Sequence, residues 1–200
     1  MDFAEEIASR ATIYLLIFPT TFFFSAVYSE SLFLALTVGA FYYARTSQWL
    51  LACIFAALGT VTRSQGILLA LPLLIEYLSE RNFSLRKVGW NIAAFALIPT
   101  ALFAFALFLK LKFGSWTVMF DVQDRWGRHL MWPWHPLAWF LRHAPPLSPE
   151  HHDKLDFCFL LLLPGAAIAG LRRLRVSYSV YIWTAGVLFL LGQARVNSAL

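Results

Sequence analysis

FPTTFFFSAVYSESLFLAL, Phe18 to Leu36, sets two dense apolar runs on either side of Tyr28-Ser29-Glu30-Ser31. A carboxylate therefore stands where a purely structural membrane segment has no use for one. Outward from this point the chain keeps the same rhythm of apolar runs and short polar breaks. The runs Ala11 to Ala26, Ser31 to Ala44, Gln48 to Val61, Gly66 to Leu78, Val88 to Leu109, Leu155 to Leu171 and Tyr178 to Leu191 make seven candidate hydrophobic helices. Several are shorter than the about 20 residues that cross a bilayer comfortably, so tilt, shallow embedding or re-entrance is expected of them.

Composition supports the same reading. Of 200 residues, 60% are hydrophobic and 14% charged, against roughly 25% charged in a soluble domain. Mean hydropathy is +0.64. These values predict an all-α, polytopic transmembrane bundle forming a single integral membrane domain over residues 1–200. Cys53 and Cys158 each lie inside an apolar run without metal-ligand spacing, which reads as packing rather than a disulfide or a metal centre. The acids Asp2, Glu5 and Glu6 occupy the place where a cleavable signal would carry positive charge, so the first helix is expected to be retained.

The net charge of +5 is not gathered into a nucleic-acid patch. Arg45, the group Arg81, Arg86 and Lys87, and the group Arg172, Arg173 and Arg175 fall in alternate short loops, the positive-inside pattern. Tyr28 to Ser31, Thr62 to Gly66 and the long connection Lys110 to Lys154 are then expected on the opposite, outer side. That connection is rich in Trp, His and Pro. Trp116, Trp126, Trp132, Trp134 and Trp139 predict a segment lying at the headgroup level, as one or two short helices broken by Pro133, Pro136 and Pro145-Pro146.

Two polar breaks and one cluster carry chemistry. Ser29 is placed to cap a helix starting at Glu30, where the helix dipole favours negative charge; Glu30 is either a well-capped helix end or part of a site, with the Tyr28 hydroxyl beside it. In ALGTVTRSQGILLALP, Arg63 either snorkels to headgroups or binds a phosphate with its planar fork, helped by Ser64, Gln65 and the first N–H groups of the next helix; Gly66 is read as permitting the turn. Glu30 and Arg63 can also be each other's partner. In the long loop, Gln123, Arg125, Trp126 and His129, with Asp124 and Arg128, supply the hydrogen-bonding groups and aromatic faces that sugars and phosphates need, although an interfacial aromatic belt accounts for the same residues. His152 and Asp156 alone make no metal site, and neither metal nor cofactor is expected.

FPTTFFFSAVYSESLFLAL followed by TVTRSQGILLALPLLIEYL resembles the PIG-V family, the second mannosyltransferase of GPI-anchor assembly and its bacterial relatives within the GT-C superfamily. The resemblance is good over Phe18 to Leu78, and WGRHLMWPW is similar to the outer loop of the bacterial members. It implies a GT-C-like fold and an enzyme transferring mannose or a similar hexose from a polyprenyl or dolichyl phosphate to a lipid or glycan acceptor on the outer, lumenal or periplasmic face. It favours the bacterial cell membrane over the endoplasmic reticulum. Arg63 matches the family's Thr-Arg-Ser position and is the residue expected to meet the phosphate. Such enzymes carry an acidic residue in the outer loop after their first helix, and nothing N-terminal of Ala11 can form that loop. The catalytic base is accordingly unassigned, with Glu30 as its stand-in. The chain is expected to lack N-terminal and C-terminal parts of the family and to be inactive in isolation. The competing reading is a transporter or flippase-like protein with Glu30 and Arg63 on a substrate path; the inverted repeat that often marks transporters is not found.

Overall fold

The computed structural model describes residues 4–18, 21, 24, 28–118, 121–122, 162 and 164–192, and every regular element among them is helical. Glutamates at positions 5 and 6 open α1, Glu5–Ile17, where the helix dipole favours acids. Phe18 is extended at ψ 137°, as expected of a residue before proline, so the helix starts and stops earlier than the apolar run Ala11 to Ala26. The next elements are α2 (Glu30–Arg45), α3 (Trp49–Thr62) and a 3₁₀ stretch, Ser64–Leu69, that runs directly into α4 (Ala70–Glu80). Short 3₁₀ turns follow at Leu85–Lys87 and Trp90–Ala96, the latter continuing as α5 (Leu97–Phe113). Residues 164–170 are helical, and α6 spans Val176–Gly192.

α2 and α3 form a hairpin closed at Thr46 to Gln48, where Ser47 takes a left-handed φ of 58° and the Gln48 N–H donates to the Tyr43 carbonyl at 2.9 Å. Ala40 and Ala44 on one helix and Ala52 and Ala56 on the other are buried, each pair four residues apart and therefore on one helical face. Such small-residue seams let two backbones approach closely without a large side chain between them. Gly39 extends the seam: a β-carbon there would lie 2.4 Å from a ring carbon of Phe55. At the hairpin's closed end, Trp49, Tyr77 and Phe95 pack ring on ring with centroids 4.9 to 6.2 Å apart. α6 packs along α4 and reaches α2 through Tyr178 and Tyr181, whose rings meet Phe41 edge-on.

Trp90–Phe113 is a continuous 24-residue helical segment whose most apolar 18 residues have a mean hydropathy of 2.4, and Ile98 is its one buried residue. At 1.5 Å per residue it is at least about 36 Å long, enough for the roughly 30 Å hydrocarbon core. Phe103, Phe108 and Leu111 project from it, more than half exposed, as suits a helix in contact with lipid. It is the one helix of membrane length and apolarity among the described residues. Gly114 ends it at φ 80°, its N–H donating to the Lys110 carbonyl, and the Lys110 ammonium lies 4.4 Å from the centre of the Trp116 ring. Most of the long Trp- and His-rich connection lies outside the described residues, as does Cys158.

Candidate functional site

The hairpin places Glu30, the first residue of α2, beside Arg63, the residue after α3. Arg63 is extended (φ −146°, ψ 131°); its N–H donates to the Gly59 carbonyl at 2.9 Å, and its own carbonyl accepts the Gly66 N–H at 2.8 Å. This backbone clamp presents the guanidinium toward α2. Arg63 Nη1 donates to Glu30 Oε1, and Arg63 Nε donates to Gln65 Oε1 at 3.1 Å. Both members of the ion pair are about a third exposed, so the pair sits in a mouth rather than in a sealed core. Glu30 Oε2 is turned inward and meets no hydrogen-bond donor among the described residues.

Two local expectations need correction. The helix does begin at Glu30, but the Ser29 hydroxyl makes no capping bond: Ser29 is near-helical at φ −81°, ψ −1°, not in the extended conformation that aims a cap at the next turn. Gly66 is required for room rather than for an unusual torsion. A β-carbon there would stand 2.4 Å from the Gly59 carbonyl carbon and from the Thr60 nitrogen, both backbone atoms that cannot swing away. The 3₁₀ stretch is thus pressed onto the last turns of α3.

Glu30, Arg63 and Gln65 are therefore brought together, with exposed Tyr28 two residues before the acid and Ser64 opening the 3₁₀ stretch. Gln123, Arg125, Trp126 and His129 lie outside the described residues. Among the described residues no group of three metal-binding side chains occurs. Chemically, the pair offers a planar donor fork for a phosphate and a carboxylate that can accept a hydroxyl proton.

A second polar cluster, at the opposite end of the hairpin, was not read from the sequence. Glu76 on α4 is buried; its Oε1 accepts a hydrogen bond from Arg45 of α2 and pairs with the Arg175 guanidinium, just before α6, each at 2.9 Å. Its Oε2 accepts the Ser177 hydroxyl at 2.6 Å. One turn on, Glu80 accepts Ser47 Oγ at 2.6 Å and Trp49 Nε1 at 3.1 Å, while Arg81 stacks 3.6 Å from the centre of the Tyr77 ring. The signal was present: a carboxylate inside the apolar run Gly66 to Leu78 calls for a partner as plainly as Glu30 does. With two arginines and a hydroxyl on it, Glu76 is a clasp joining α2, α4 and α6.

Among the described residues the chain is helical throughout, with one apolar helix of membrane length and an acid–arginine pair at one end of a helix hairpin, a combination that suits a helical membrane protein. Residues 1–116 match the family model described as Mannosyltransferase (PIG-V), more than half of the chain, and the protein belongs to that family. The matched region contains α1 to α5, the Glu30–Arg63 pair and Glu76. No curated protein and no solved structure matches the chain. The family supports a glycosyltransferase of mannosyl type, working between a sugar donor and an acceptor.

Proposed function

We propose that the chain forms the donor-binding part of a multi-pass GT-C-type membrane mannosyltransferase that takes its hexose from a polyprenyl or dolichyl phosphate on the outer face. The observation that carries this reading is the Glu30–Arg63 pair, held by the two helix ends that meet at the open end of the α2–α3 hairpin and remote from the basic end around Glu76. In the substrate-free state Glu30 neutralises Arg63. The donor phosphate takes over the guanidinium, which suits it better through two parallel N–H bonds. Glu30 is then released to accept the proton of the acceptor hydroxyl as the acceptor oxygen bonds to the sugar's anomeric carbon and the bond between that carbon and the phosphate oxygen breaks, the phosphate oxygen leaving with the electron pair. Tyr28, Ser64 and Gln65 line the same mouth, and Gln123, Arg125, Trp126 and His129 are proposed to close over the sugar. The remaining apolar runs complete a bundle of about seven helices.

The test uses membranes containing the complete protein and a radiolabelled hexose on polyprenyl phosphate. Arg63→Lys keeps the charge but not the planar fork and is expected to lose transfer by roughly ten-fold or more at equal protein level. Glu30→Gln is expected to lose roughly 10² or more, the contribution of a general base. Wild-type rates in the Lys variant remove Arg63 from phosphate binding, and wild-type rates in the Gln variant remove Glu30 from the chemistry.

A further inference from the structure

The end of the bundle opposite Glu30 and Arg63 holds an arrangement that sugar transfer does not use. On the α2–α6 body this end gathers Arg45, Arg81, Arg86, Lys87, Arg172, Arg173 and Arg175 against two carboxylates, Glu76 and Glu80. The acids are fully engaged by Arg45, Arg175, Arg81 and the hydroxyl and indole donors described above. Arg86, Lys87, Arg172 and Arg173 are exposed and make no ion pair among the described residues.

Their height is set by the apolar span. Trp90 is its first residue and is 94% exposed, the position where an indole marks the boundary between hydrocarbon and headgroups. Arg86 and Lys87 precede it by four and three residues, and the Gly89 N–H donates to Tyr77 Oη at 3.2 Å, which ties this segment to the turn that bears Glu76 and Glu80. Phe83 lies at the same end, 63% exposed, with a left-handed φ of 54° directly after Asn82 at 52°. A bulky residue rarely adopts that conformation, and in water it would gain nothing by projecting its ring outward. Beside acyl chains the ring is buried.

We infer that this end is a docking collar for anionic phospholipids, with Arg86, Lys87, Arg172 and Arg173 on the phosphates and Phe83 and Trp90 between the upper acyl chains. Charge complementarity identifies the occupant: four cations without acidic partners among the described residues, flanked by exposed aromatics at headgroup height, match an anionic headgroup attached to an apolar tail. The inference rests on the membrane reading but not on the identity of the sugar or on any role of Glu30. A cation at an anionic surface contributes roughly a five-fold gain in affinity, lessened by salt.

The experiment reconstitutes the full chain in phosphatidylcholine bilayers containing a fixed fraction of lipid brominated on its acyl chains, either phosphatidylglycerol or phosphatidylcholine. Quenching of Trp90 is read as the difference between the protein and its Trp90→Phe variant. Brominated phosphatidylglycerol is expected to be preferred by at least roughly five-fold. The preference should fall close to one in the variant Arg86→Gln, Lys87→Gln, Arg172→Gln, Arg173→Gln, and halfway in each pair alone. Lys112→Gln, at the other end of α5, should leave it unchanged. Equal quenching by the two lipids, or a preference that survives the four substitutions, overturns the collar alone. Absence of quenching by either lipid overturns the membrane reading with it. Excess soluble glycerol phosphate should not abolish the preference; if it does, the site is for a soluble anion and the lipid assignment falls.

Discussion

Glu76→Gln tests the clasp with almost no change of volume. The wild-type carboxylate is 6% exposed, pairs with two guanidiniums and accepts a hydroxyl, whereas the two arginines are 33% and 39% exposed. Gln keeps one acceptor oxygen, so the substitution removes chiefly the charge. Removing one partner of a buried ion pair costs about 3 to 5 kcal/mol, and hydrogen bonds to charged groups about 1.5 to 3 each. Because water can reach both arginines once the acid is gone, the expected loss is at the lower end, about 3 kcal/mol. Glu80 provides the control. It is 41% exposed, so Glu80→Gln should cost about 1 kcal/mol. Reversible unfolding of the purified protein in mixed micelles, titrated with dodecyl sulfate and followed by tryptophan fluorescence, gives both values. A clasp further requires that Arg175→Gln and Glu76→Gln be non-additive, since they remove one interaction. The reasoning fails if Glu76→Gln lies within about 0.5 kcal/mol of wild type, the range of an ordinary surface substitution, or costs no more than Glu80→Gln.

Gly66→Ala should destabilise by about 1 to 3 kcal/mol and reduce transfer as Arg63 shifts, while Gly89→Ala, whose new methyl would meet nothing within 4 Å, should be neutral in the same unfolding titration. Cys53 is wholly buried in α3, so a maleimide should leave it unlabelled in native membranes and label it fully after denaturation; rapid native labelling would show that the hairpin seam is open. For orientation, cysteines introduced at Ser84 and Arg173 should resist an impermeant thiol reagent in intact cells, and cysteines at Gln123 and His151 should react; labelling at Ser84→Cys without labelling at His151→Cys would reverse the topology.

What could be read in advance was what is encoded locally. The runs Ser31 to Ala44 and Gln48 to Val61 lie within one residue of α2 and α3 at each end, because the polar breaks beside them are also the chain reversals. The meeting of Glu30 and Arg63 was legible as one of three alternatives, since two helices of similar length joined by a tight turn bring their far ends together. The clasp was not, for it depends on Ser177, 101 residues from Glu76. The 3₁₀ character of Ser64–Leu69 was equally hidden: it arises from Gly66 seated on the backbone of α3, a tertiary contact with no signature in local propensity. Ser29 misled because its residue type favours a cap while its torsions forbid one.

That 3₁₀ stretch acts as a spacer between two fixed marks. Along α2, Glu30 and Arg45 are separated by fifteen helical steps, about 22 Å. Their partners, Arg63 and Glu76, are thirteen residues apart along the 3₁₀ stretch and α4, a distance that in a continuous α-helix would span only about 19 to 20 Å. Winding Ser64–Leu69 more tightly, at about 2.0 Å per residue, lengthens that path by about 3 Å and restores the match. Both ion pairs can then close at once, one at each face of the bundle. Rewinding the six residues into α-helix would shorten that path by the same amount, a mismatch that the side chains of the two ion pairs would have to take up.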